Sequence, residues 1–136
     1  MTRITGALAL LIWMMPAARA AATDLKVTDS RGREVVVAGA AIDYGGFMTD
    51  RETSGIRLLQ GDGMVTVKWT EIDTVTVTKT DTSVKPPRVE MEVLLRNGRK
   101  VPVELFRQGQ MKIVGRTELG DYSIDLDKVR AIAPVR

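Results

Sequence analysis

The 136-residue chain has no cysteine and no histidine. Without histidine it lacks the one side chain that ordinarily titrates near neutral pH, and without cysteine it lacks the strongest nucleophile. It also cannot be stapled by disulfides, even in an oxidising compartment, and cannot carry a lipid anchor that needs cysteine. Any catalysis would fall to carboxylates or to Ser30, Ser54, Ser83 and Ser123, none of which has an activating neighbour in sequence. Asp121, Asp125 and Asp127 lie on alternate positions of one stretch, but Leu126 between them is needed inside, and the spacing matches no calcium loop. The expectation is therefore no catalytic residue, no metal ligand and no cofactor, with a serine or carboxylate hydrolase as a remote alternative.

Long apolar runs are confined to the first twenty residues. Arg3 is followed by an apolar run through Met15, the helix breaker Pro16, and Ala18-Arg19-Ala20, a small-x-small cleavage site. This is the layout of a secretory signal peptide. The uncharged stretch 4–18 is shorter than the roughly 20 residues that span a bilayer. Residues 1–20 are thus expected to be a leader cleaved after Ala20, leaving an exported protein, periplasmic or secreted. Arg3 and Arg19 are two of the 20 basic residues, so 18 remain after cleavage against 17 acidic ones. That near-neutral balance lacks the footprint of a nucleic-acid binder, and nothing after the leader reads as a membrane span.

What is abundant is alternation. Valine and threonine recur with a period of two between glycine-containing turns, the pattern of an all-β protein. Hairpin signals stand at 30–33, at 60–63 and at Asn97-Gly98, the last an especially strong one. Residues 83–88, with Pro86-Pro87, have the composition of a linker. The stretch 65–75 alternates through Val65, Val67 and Trp69, then steps by three to Ile72 and Val75, as two strands joined by one tight turn would require.

That pattern repeats. Val27, Gly32, Arg33, Val35 and Val37 match Val93, Gly98, Arg99, Val101 and Val103 at a constant offset of 66. Ile56, Gly63, Val67, Trp69, Ile72 and Val75 match Ile113, Gly120, Ile124, Leu126, Val129 and Ile132 at a constant offset of 57. The difference places an insertion in the first repeat, within residues 38–54. Five strands with a single 3₁₀-like turn before the last resemble the small SH3-like and Sm-like barrels. The resemblance implies two tandem five-stranded barrels: repeat 1 at 21–82 with the inserted loop 38–54, a linker at 83–88, and repeat 2 at 89–136. Peptide binding through clustered aromatics does not carry over, because the chain has only two each of Trp, Tyr and Phe and Trp69 is expected in the core.

Binding is then the expected mode of action, through a protein partner or an anionic surface of the cell envelope. Two places are candidates. Tyr44, Phe47 and Met48 stand with two glycines in the insertion, and loops on rigid scaffolds collect binding residues. Arg96, Arg99 and Lys100 surround one hairpin tip and could meet an acidic patch or anionic surface. The alternative is a structural subunit that self-associates through exposed strand edges such as residues 75–80.

Overall fold

The computed structural model describes residues 23–45, 48–49, 55–85, 87–105 and 111–136. Residues 1–20, expected as a signal peptide, fall outside them. Eleven strands form β1 (Thr23–Asp29), β2 (Glu34–Gly45), β3 (Met48–Thr49), β4 (Gly55–Gln60), β5 (Gly63–Lys68), β6 (Ile72–Asp81), β7 (Arg88–Leu95), β8 (Lys100–Leu105), β9 (Lys112–Thr117), β10 (Gly120–Asp125) and β11 (Val129–Pro134). Two 3₁₀ turns, Trp69–Glu71 and Leu126–Lys128, precede β6 and β11. The protein is all-β, and ten strands follow one another in a single curled antiparallel sheet ordered β10-β9-β2-β1-β11-β6-β7-β8-β4-β5, with β3 paired to β2 off that path.

The internal repeat is present in the backbone as well as in the letters. Gly32 and Gly98 hold φ of 85° and 92°, a left-handed turn conformation that a side chain resists. In each hairpin the glycine N–H donates three residues back, to the Asp29 or Leu95 carbonyl, at 2.9 Å. The Ser30 N–H then reaches the Lys128 carbonyl (2.9 Å) and the Arg96 N–H reaches the Glu71 carbonyl (3.0 Å), tying each hairpin to a 3₁₀ turn. Trp69 and Leu126 open those turns and are both buried, followed by buried Ile72 and Val75 or Val129 and Ile132. Even the irregularities correspond: the register slips between Thr28 and Asp29 against β11, and between Ile72 and Thr74 against β7.

Hairpins form inside each repeat, but the pairings that join one hairpin to the next cross between repeats. β2 pairs with β9 and β4 pairs with β8. The sheet is thereby two lobes: β11-β1-β2-β9-β10, and β6-β7-β8-β4-β5. Each has the same internal order, and each draws strands from both repeats. The second lobe is one continuous piece of chain from Gly55 to Leu105, inserted into the first. Residues 83–88 are expected as a linker, but Asp81 pairs with Arg88 and Thr80 with Val89, so β6 and β7 form an antiparallel hairpin there.

One core serves both lobes. Leu25, Val27, Ile56, Leu58, Ile72, Val75, Met91, Ile113 and Ile132 are at most 2% exposed and belong to one continuous cluster. Each such side chain contributes about 1.5–3 kcal/mol of burial. β6 lies at the centre of the sheet, between β7 and β11, with Val75 and Thr76 paired on both sides. The expected free edge at 75–80 is therefore interior at its start. The sheet's terminal strands are β5 and β10.

Candidate functional site

The insertion in repeat 1 extends β2 beyond the length of its counterpart β8. Ala41, Ile42 and Asp43 pair with Val114, Ile113 and Lys112, and the extra residues become core: Ala40, Ala41, Ile42 and Tyr44 are at most 4% exposed. Tyr44 is 0% exposed; its phenol oxygen accepts the Arg57 N–H at 2.8 Å, and the Arg57 guanidinium stands 5.5 Å from its ring centre. The expectation that Tyr44 is presented on a binding loop is corrected by this burial: the aromatic ring seals its own sheet. Phe47 and the Met48 side chain lie outside the described residues.

Arg96, Arg99 and Lys100 are exposed together at the β7–β8 tip, where the Asn97 side chain accepts the Arg99 N–H at 2.9 Å. The other tip is basic too, through residues that sequence spacing could not bring together. Arg130 Nη2 donates to the Ser30 carbonyl at 2.8 Å, placing it with Arg31, Arg33 and Lys128. Asp29 sits among them, accepting the Arg31 and Arg33 N–H groups at 2.9 Å. The Arg33 N–H bond, with that of Arg31 and the two guanidinium charges, holds its carboxyl below the usual range. Both tips carry acidic residues beside the basic ones (Asp29 and Glu34; Glu71 and Asp73), so each is a mixed-charge surface.

The most distinctive concavity was not foreseen. An open groove of about 830 Å³ runs between the start of β2 and the β9–β10 hairpin, lined by Val35, Val36, Ala38, Leu119 and Tyr122 together with Glu34, Arg116, Thr117 and Glu118. Val36 is 53% exposed and Leu119 100%. A second opening of about 600 Å³ adjoins it, sharing Ala38, Arg116 and Tyr122. Burial pushes the Tyr122 phenol above its ordinary pKa, and the Asp29 carboxylate adds to the push.

The repeat supplies an internal control for this groove. At the equivalent positions of the second lobe, Val36, Ala38, Leu119 and Tyr122 are replaced by Pro102, Glu104, Asp62 and Val65. Glu104 there is engaged by Arg88 at 3.0 Å. The shared fold thus does not require an apolar residue at every one of these places: two of the four, Glu104 and Asp62, are polar in the second lobe, while Pro102 and Val65 stay apolar. The signal for it in the sequence lies in the unmatched positions of the two constant offsets, where Leu119 stands against Asp62 and Ala38 against Glu104.

Among the described residues no group of three or more Asp or Glu is placed to hold a metal ion, and no helix is long and apolar enough to cross a membrane. No protein-family model, curated protein or solved structure matches the chain.

Proposed function

We propose that this is a non-catalytic, exported binding protein of the cell envelope, which contacts a partner protein through the groove between β2 and the β9–β10 hairpin. The observation that carries this is the fully exposed Leu119 beside Val36 and Tyr122, where the second lobe has Asp62, Pro102 and Val65. Exposed apolar side chains gathered in a concavity mark interaction surfaces, and at Leu119, where the second lobe carries Asp62, the shared fold does not call for an apolar residue. The partner segment is apolar where it meets Val36 and Leu119, with polar groups to meet the mixed charges of Glu34, Arg116 and Glu118. The Arg96–Lys100 tip is a second contact, for an acidic patch or an anionic envelope surface.

On this reading each lobe is a small SH3-like barrel. In support, both lobes run in the order last strand, first, second, third, fourth, with a 3₁₀ turn before the last strand. Residues 1–20 are its signal peptide, on the strength of their three-part layout.

The test is a photo-crosslinking residue placed at position 119 and, as its symmetric control, at position 62, in the chain expressed in its native host. A discrete adduct from 119, absent from 62 and lost on Val36→Asp, is the expected result. Equal labelling from both positions, or none from 119, would sink the reading.

A further inference from the structure

We infer that the two terminal strands of the sheet, β5 and β10, are complementary edges through which one copy of this chain adds to the next. Among the described residues neither strand has a second neighbour, and an unpaired edge is a template for another strand. Both are six residues long and both close a two-residue hairpin, Gln60↔Gly63 in one and Thr117↔Gly120 in the other. The pair closing such a loop is hydrogen-bonded, and bonded and non-bonded pairs then alternate. That alternation turns the N–H and C=O of Thr66 and Lys68 outward on β5, and those of Asp121 and Ser123 outward on β10.

Direction and side-chain phase agree. Ten strands alternate along the path, so a second copy in the same orientation brings its β5 antiparallel to β10 of the first. With Lys68 opposite Asp121, Thr66 falls opposite Ser123, and Val67 and Val65 fall opposite Tyr122 and Ile124. Those four side chains are half-buried against the core in their own lobes, so the apolar face continues across the junction. A slip of one residue would turn it outward.

Charge selects this pairing over the symmetric ones. β10 carries Asp121 and Asp125 and β5 carries Lys68. Pairing β10 with another β10 sets aspartate against aspartate, whereas β10 with β5 sets Asp121 against Lys68. A junction of two different edges is head-to-tail and leaves a free edge at each end, so it propagates. Six residues bury far less than the roughly 1,600 Å² of a stable interface, so association is weak and concentration-dependent. It does not rest on the groove reading, because it uses backbone edges in place of the Val36–Leu119 surface.

The test is sedimentation of the purified chain over a wide concentration range, with Thr66→Pro and Ser123→Pro removing one outward N–H from each edge. The expected result is a weight-average mass that climbs with concentration for the parent and stays at the monomer for either variant alone. An equimolar mixture of the two should reach the dimer and stop, because each supplies the edge that the other has lost. Lys68→Glu, which leaves the backbone intact, should lower association at least several-fold, and mixing with Asp121→Lys should restore it. A parent that stays monomeric at every concentration, or a Ser123→Pro chain that still dimerises alone, overturns the inference.

Discussion

Val75 pairs directly with Ile132, its own counterpart 57 residues later in the internal repeat. A residue that lies beside its equivalent marks a local two-fold axis, here between β6 and β11. Around that axis the sheet order reads the same in both directions once each strand is replaced by its counterpart. The relationship explains why a repeat that looks like two beads on a string in sequence is one object in space.

Cutting the chain between Ser83 and Val84 at an inserted protease site tests this most directly. Five of the nine neighbour relations along the sheet, β9-β2, β1-β11, β11-β6, β6-β7 and β8-β4, would then join different fragments. The halves should co-elute as one species with unchanged far-UV circular dichroism, and part only in denaturant. Separation into two folded halves would show that each repeat closes on itself.

The 3₁₀ turns set a second expectation. Trp69 and Leu126 are 3% and 1% exposed at equivalent positions. Truncating either to alanine should cost about 3–5 kcal/mol at Trp69 and about 2–5 kcal/mol at Leu126. Urea unfolding followed by circular dichroism would measure both. A loss at position 69 under 1 kcal/mol would mean that the indole does not pack in the core.

Gly115 supplies a third. A Cβ built there would lie 2.4 Å from Val37 Cγ1 and 2.8 Å from the Ala38 carbonyl oxygen, because β9 passes β2 at its bulge. Gly115→Ala should therefore destabilise by about 1–3 kcal/mol. Adding Val37→Ala removes the nearer clash, so the double variant should lose less than the sum of the two single changes. Strict additivity would locate the cost elsewhere.

The hairpins at 30–33, 60–63 and Asn97-Gly98, the two 3₁₀ turns and the buried positions from Val27 to Ile132 were legible in the sequence, because each depends on local periodicity and turn chemistry; the β6–β7 hairpin, expected as a linker, was not. Which hairpin lies beside which was not. The edges of β2 and β4 present similar backbone to β8 and β9, and no local pattern distinguishes a partner in the same repeat from one in the other. Of the two readings of Tyr44, a partner contact or a cover for its own barrel, its burial agrees with the second. Its glycine neighbours suggested a loop, but the extension of β2 along β9 carried it into the core. Leu119 went unread because a single exposed leucine in a turn says nothing until folding sets it beside Val36 and Tyr122.

Acid stability gives a fourth prediction. Asp29 is held below its ordinary pKa chiefly by the Arg33 N–H, and Asp81 by the Ser83 hydroxyl and N–H. A carboxylate whose folded pKa is depressed adds stability in full above its unfolded value, near 3.9, and loses it as pH falls through the folded one. The urea midpoint of the parent should thus fall below about pH 4. In the double variant Asp29→Asn, Asp81→Asn that limb should flatten, with no change of slope between pH 5 and 8. An unchanged acid limb would assign it to other carboxylates.

Tyr44 separates a packing role from a binding one. Its hydroxyl accepts the Arg57 N–H at 2.8 Å, so Tyr44→Phe keeps the ring and leaves a part-buried donor without that acceptor. The expected cost is about 1–2 kcal/mol, against about 3–5 kcal/mol for Tyr44→Ala, which also empties a fully buried volume. The decisive comparison is with crosslinking at position 119. Tyr44→Phe should leave that adduct intact under conditions where the variant is folded, because the ring faces the core and not the groove. Loss of the adduct in a variant that unfolds at nearly the parent's urea concentration would instead make the Tyr44 hydroxyl part of the contact. In that case the extension of β2 would belong to the binding surface and not to the seal of the core.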